Sequence, residues 1–306
     1  MGRKLIITVD TEGDNLWTWK SGNQISTGNT IFINRFQDLC EKHGFKPTYL
    51  TNYEMALDKR WVEYGKNKAK AGKCEIGLHI HAWNSPPIVE LEDRYHGNSY
   101  ITEYTDDIIQ KKVTYLAELL RNVFEVPIIS SRSGRWATND MYYRALVNAG
   151  IKIDCSVTPE IDLSSIPGCS KNVGNDYSKY SKYPSEIYPG LYEIPMTTRK
   201  IRWGATGSFK HKVKSLLIGE EMWLRPLKLS MKYLKKIVEH TEKEHMDYLE
   251  FMLHSSELMP GGSPYFADEE DIEKLYAILD QFFGYLKEKE YVGYTLSEYY
   301  HNVKNV

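Results

Sequence analysis

The chain has 306 residues, 42% of them hydrophobic and 26% charged, which is enough to bury one large core or a catalytic cavity. Its 39 basic and 41 acidic residues leave a net charge of −2, which excludes the positive footprint of a nucleic-acid binder or of a protein drawn to an anionic membrane. No window approaches the roughly 18 apolar residues of a membrane span. The four cysteines, Cys40, Cys74, Cys155 and Cys169, lack Cys-x-x-Cys spacing, as expected of reduced thiols in a cytoplasmic protein.

The run Leu5 to Val9 is too short for the apolar part of a signal peptide and passes straight into acidic residues, so it reads as the first strand. A helix follows at about Ile31 to His43, where Ile33, Phe36, Leu39 and Cys40 fall at helical spacing and Gly44 supplies the stop. Lys46 to Thr51 reads as the second strand and Glu75 to His81 as the third. After Pro86-Pro87 comes a long helix from about Thr105 to Phe124, with Asp106 and Asp107 suiting its positive N-terminus. Pro127 to Ser131 is the fourth strand, Asn139 to Asn148 a helix and Ile151 to Ser156 the fifth strand. From Pro159 to Pro189 periodicity is lost, which marks an insertion or lid at about 160–190 before strand signals resume at Leu191 to Pro195. Leu224 to His245 reads as helix, Tyr248 to Leu253 as strand, Asp268 to Glu290 as helix and Tyr291 to Leu296 as the last strand. Seven or eight βα units favour a single-domain α/β fold, a (β/α) barrel over an open sheet.

In such folds functional groups gather beyond the C-terminal ends of the strands. Here those ends carry Asp10-Thr-Glu12, His79-Ile-His81, Arg132-Ser-Gly-Arg135-Trp136, Asp154 and His254-Ser-Ser-Glu257. Side chains two apart on a strand share a face, so His79 and His81 aim two imidazoles at one point, as do Asp10 and Glu12 two carboxylates. Two imidazoles and one carboxylate make the open, three-ligand arrangement of a hydrolytic metal site. The other carboxylate is then a general base, His254 a proton donor, and Arg132 with Asp154 an ion pair that orients the base.

These segments resemble the polysaccharide deacetylases, carbohydrate esterase family 4. The likeness rests on Thr8-Val-Asp10, Glu75-Ile-Gly-Leu-His79, Arg132-Ser-Gly-Arg-Trp136, Ile153-Asp-Cys-Ser-Val-Thr-Pro159, Phe251-Met-Leu-His254 and Tyr294-Thr-Leu-Ser-Glu298, in the order of the family's motifs. The resemblance implies a distorted seven-stranded (β/α) barrel, a divalent metal that is commonly zinc, and hydrolysis of an acetyl group from an N- or O-acetylated sugar or oligosaccharide. It implies Asp10 as catalytic base, His79 as the first metal histidine, Arg132 and Asp154 as the base-orienting pair and His254 as general acid.

Two motifs depart from the family pattern. Asp10-Thr-Glu12 replaces Asp-Asp, which moves the metal carboxylate to Glu12, with Asp10 as the alternative ligand. His79-x-His81 replaces His-x-x-x-His, leaving His81 as the second metal histidine and Trp83 where the family's second histidine stands. Trp17, Trp83 and Trp136, with Trp19 and Trp203, offer flat apolar faces to sugar rings. The expected setting is surface polysaccharide synthesis of the O-antigen type. The competing expectations are an allantoinase-like hydrolase of another C–N bond, or a carbohydrate-binding barrel without catalysis.

Overall fold

Short strands and longer helices alternate along the chain and wind it into a (β/α) barrel. The computed structural model describes residues 2–20, 23–170, 174–203 and 215–304, so residues 171–173 of the expected insertion lie outside it. The first half runs β1 (Lys4–Thr11), α1 (Ile33–Lys42), β2 (Pro47–Thr51), α2 (Tyr53–Leu57), α3 (Lys59–Lys70), β3 (Glu75–Ile80), α4 (Asp106–Phe124), β4 (Ser130–Ser133) and α5 (Asp140–Asn148). The second half adds β5 (Ile153–Asp154), β6 (Ser185–Tyr188), β7 (Leu191–Glu193), β8 (Thr198–Ile201), β9 (Glu220–Trp223), α6 (Met231–Lys243), β10 (Tyr248–His254), α7 (Glu269–Glu288), β11 (Val292–Tyr294) and α8 (Leu296–Lys304).

Seven positions follow one another in the order β10-β1-β2-β3-β4-β5-β7, all parallel, with β11 beside the first residues of β1 and β6 antiparallel on β7. The described sheet thus has nine strands where the family resemblance implied seven. The gap between β7 and β10 is bridged by residues 195–197 beyond β7 and by Leu224 beyond β9. Glu250 N–H donates to Thr197 Oγ1 at 2.9 Å, Tyr248 Oη to Pro195 O at 2.5 Å, and Met252 N–H to Leu224 O at 3.1 Å.

Alternation along the strands sorts residues into two layers. Leu5, Ile7 and Val9 of β1, Ile76, Leu78 and Ile80 of β3, and Leu249, Phe251 and Leu253 of β10 join the core under the helices. Their even- or odd-numbered neighbours point inward. The lower barrel is filled by Ile6, Leu50, Ile153, Ile194 and Tyr248, closed from below by Leu296 and Tyr299 of α8. Above that plug the inward residues are polar: Thr8, Asp10, His79, Arg132 and Glu250 are all buried. Burying that set requires mutual pairing, since an isolated buried charge is prohibitively costly.

Several boundaries differ from the sequence expectation. The predicted helix at Leu224 to His245 starts only at Met231, where Ser230 caps it by accepting from Tyr233 N–H, and its expected first residues instead form a short 3-10 turn at Pro226–Lys228. The aperiodic 160–190 stretch contains β6 at its end. α2 is too short and α3 too rich in charge to show a helical period, yet Asn52 and Asp58 cap them in turn. No described helix is long and apolar enough to cross a membrane.

Candidate metal centre at the strand ends

β1 ends at Thr11, and the next residue, Glu12, is pinned by its backbone: its N–H donates to Ser255 Oγ at 3.1 Å and its carbonyl accepts from Asn29 Nδ2 at 2.8 Å. That anchoring turns the Glu12 carboxylate toward β3. His81 Nε2 lies 2.7 Å and His79 Nε2 3.3 Å from Glu12 Oε2, and the two imidazole nitrogens are 2.9 Å apart. Donor atoms from Glu12, His79 and His81 all fall within 4.8 Å of one another, and all three residues are buried. Where both Nε2 atoms are deprotonated, their lone pairs and Glu12 Oε2 converge on one point, as a cation site requires.

The outer contacts agree with that reading. His79 Nδ1 sits 3.1 Å from the Arg132 carbonyl, which fixes the proton there and leaves Nε2 free to ligate. His81 Nδ1 is buried and has no hydrogen-bond partner, so this ring is held by packing. Trp83 meets it edge-on at 4.1 Å between centroids, and on another side Gly134 leaves no room for a Cβ, which would stand 2.9 Å from His81 Nδ1 and 2.7 Å from Ile80 O. The two-nitrogen, one-carboxylate donor set, buried on the protein side and facing a cavity, fits a borderline divalent ion such as zinc.

Beside this cluster stands Asp10. Arg132 Nη1 donates to its Oδ1 at 2.6 Å, while Oδ2 lies 3.9 Å from His79 Nε2 and 3.8 Å from His254 Nε2. Burial works against the Asp10 charge, but Arg132, His79 and His254 outweigh it and hold the carboxyl below its ordinary range. Glu12 is likewise resisted by burial and held well down by His254, His79 and His81. Burial tends to lower both histidines: Asp10 and Glu12 reverse this at His79, which is raised, whereas His81 stays lowered.

Arg132 does not pair with Asp154 as the sequence reading expected. Cross-strand register matches Ser131 with Asp154, so Asp154 shares the face of Ser131, opposite to that of Arg132. Ser131 Oγ accordingly donates to Asp154 Oδ1 at 2.7 Å, and Ser156 N–H donates to Oδ2 at 3.3 Å. The residue level with Arg132 is Cys155, whose carbonyl accepts from Arg132 Nε at 3.2 Å. The second anion on Arg132 is instead Glu250, in the middle of β10, bound through Nη2, which also donates to Thr8 Oγ1 at 2.9 Å. The sequence carried a signal for it, a lone carboxylate inside the apolar run Tyr248 to Leu253.

Glu250 is pushed up to about 7 by burial, against the pull of Arg132 and Thr8. A carboxyl raised in the folded state from an ordinary 4.5 contributes stability that is complete below pH 4.5 and is lost as pH rises through 7. Glu250→Gln keeps an acceptor for Arg132 and Thr8 but cannot ionise. Urea unfolding from pH 4.5 to 8 should therefore show a flatter stability profile for the variant than for the wild type, and parallel profiles would refute the assignment.

His254 ends β10. Arg225 Nη2 lies 2.9 Å from its Nδ1 and 2.7 Å from Glu257 Oε1. Because an arginine can only donate, Nδ1 accepts and the proton of neutral His254 resides on Nε2, the nitrogen 3.8 Å from both Asp10 Oδ2 and Glu12 Oε1. Arg225 and Glu257 were not assigned this part from the sequence, although Glu257 stands in the same strand-end motif. Asp10, Glu12, His79, His81, Arg225 and His254 line a cavity of about 340 Å³ together with Trp17, Trp83, Trp136, Asn98 and Arg135. Trp17 meets His254 edge-on at 4.9 Å, and Trp136 lies under the Arg132 guanidinium at 5.0 Å. Trp19 stacks on Trp83 at 6.2 Å in an adjoining cavity, whereas Trp203 packs on Tyr233 away from both.

No protein-family model and no curated protein sequence matches the chain. Among solved structures, a candidate polysaccharide deacetylase from Mycobacterium smegmatis is 15% identical with a TM-score of 0.56, over 100% of this chain and 92% of that one. The α-amylase AmyC from Thermotoga maritima is 10% identical with a TM-score of 0.55, over 98% and 75%. A 4-α-glucanotransferase from Thermococcus litoralis is 12% identical with a TM-score of 0.52, over 98% and 38%. At such identities the likeness establishes the shared barrel fold and leaves the chemistry to the residues at its mouth.

Proposed function

We propose that this chain is a metal-dependent deacetylase of an acetylated sugar or oligosaccharide, a divergent member of the polysaccharide deacetylase family. The observation that carries the reading is the convergence, at one cavity, of the Glu12, His79 and His81 donors with an Arg132-held Asp10 and with His254. Glu12, His79 and His81 would hold a divalent ion, which would supply Lewis acidity to the acetyl carbonyl and to water.

The remaining steps belong to the protein's own groups. Asp10, with Oδ1 tied to Arg132, presents Oδ2 to take the proton of the water that attacks the acetyl carbonyl. The departing nitrogen or oxygen takes up the proton that Asp10 removed from the water as the acetyl group leaves as acetate, and the Nε2–H of His254 donates a hydrogen bond that holds this atom in place. Trp17, Trp83 and Trp136 give the sugar apolar faces and limit the water that reaches the site. Asp154 has no part in this scheme, because it faces away from the barrel interior.

The test is acetate release from a panel of N- and O-acetylated sugars by the zinc-loaded protein. Asp10→Asn should lower kcat by ~10²–10⁴ while the bound metal is retained, the scale of a lost general base. Protein that carries one equivalent of metal and releases no acetate from any member of the panel would rule the reading out.

A further inference from the structure

Arg135 lines the same cavity as Asp10, Glu12, His79, His81 and His254. Its Nη1 donates to the Asn98 carbonyl and its Nη2 to the Pro167 carbonyl at 2.7 Å, and its guanidinium lies over the Tyr100 ring at 4.0 Å. These partners are neutral. Arg132 is balanced by Asp10 and Glu250, and Arg225 by Glu257, whereas Arg135 makes no ion pair with any described carboxylate. A guanidinium has five N–H donors in a rigid fork matched to carboxylate or phosphate, and two nitrogens here are spent on carbonyls that fix its position.

The local backbone reinforces this. Arg135 and Trp136 both adopt left-handed conformations, with φ of 57° and 61°, which side-chain-bearing residues rarely occupy in succession. The turn thus holds a half-buried cation, without an ion-pair partner among the described residues, at the cavity wall; burial lowers its pKa, with Tyr100 and the more distant Glu103 acting against that. The cavity, at about 340 Å³, is at the small end for a ligand site, so whatever balances Arg135 lies close to the reacting group.

We infer that Arg135 is a specificity-determining residue that binds an oxyanion, a carboxylate or a phosphate, carried by the acetylated sugar or by the unit joined to it. The preferred substrates are therefore acidic glycans. The inference rests on the deacetylase reading for the sugar and on Arg135 alone for the anion.

Calorimetric titration with three probes tests it: N-acetylglucosamine as the neutral sugar, N-acetylmuramic acid for a carboxylate, and N-acetylglucosamine 1-phosphate for a phosphate. At least one charged probe should bind the zinc-loaded protein about tenfold or more tightly than the neutral one. Which of the two does so identifies the anion. Arg135→Met should abolish that preference and leave affinity for the neutral sugar unchanged. Arg135→Gln, whose amide can still donate to one of the two carbonyls, serves if the first variant does not fold. Equal affinities in the wild type, no binding by any probe, or a preference that survives the substitution would overturn the inference, the last because the anion would then sit on the metal. Acetate release is scored separately: anion preference without hydrolysis defeats the deacetylase reading alone, and hydrolysis without preference defeats this inference alone.

Discussion

His81→Ala is expected to abolish stoichiometric zinc and acetate release together. His81 Nε2 is 2.7 Å from Glu12 Oε2 and 2.9 Å from His79 Nε2, so its removal leaves a two-donor site. Two donors do not hold zinc against water in a site that must also keep a position open. Loss of a supporting contact to a metal ligand already costs 10–100-fold in affinity, so loss of the ligand itself should exceed ~100-fold. Trp83 cannot substitute, because an indole N–H donates and offers no lone pair. Equilibrium dialysis against zinc, followed by metal analysis, measures the effect directly. Retention of one equivalent by the variant would remove His81 from the site and leave the His79-x-His81 motif without a metal role.

Arg132→Met is expected to be the most destabilising single change near the site. Arg132 and Glu250 are fully buried, and the substitution strands two carboxylates, Asp10 and Glu250, without their common cation. Removing one partner of a buried ion pair costs about 3–5 kcal/mol. The loss should depend on pH with a defined sign. Without Arg132, burial is opposed less at both carboxyls, so the folded-state pKa of each rises. Raised carboxyls contribute stability below their unfolded pKa and lose it as pH rises, so the variant should be closest to wild type near pH 4 and fall behind toward pH 8. Adding Glu250→Gln removes one stranded charge and should recover part of the loss. A pH-independent deficit, or no recovery in the double variant, would mean that lost packing dominates.

Asp154 and Glu250 mark the limit of what local pattern can reveal. Arg132 and Asp154 look like partners in the sequence because both close apolar runs in neighbouring units. Only the pairing of Ser131 with Asp154 shows that they point to opposite sides of the sheet. Glu250 lies 118 residues from Arg132 along the chain, and nothing in the run around it specifies that partner.

Local pattern along the chain is enough to specify the alternation of strands and helices, the strand ends at which ionisable groups collect, and the facing of His79 with His81. These follow from periods of 3.6 and 2 residues within single elements, which no distant contact needs to supply. Tertiary structure alone decided which face of each strand looks into the barrel, because the helices cover one face and the α8 plug fills the other from below. It also decided that Glu12 swings onto His81, through the backbone anchors from Asn29 and Ser255. The surroundings of Arg135 are likewise a tertiary fact: its neighbours are residues 98, 100 and 167, which lie far from it along the chain and meet it only in the folded state.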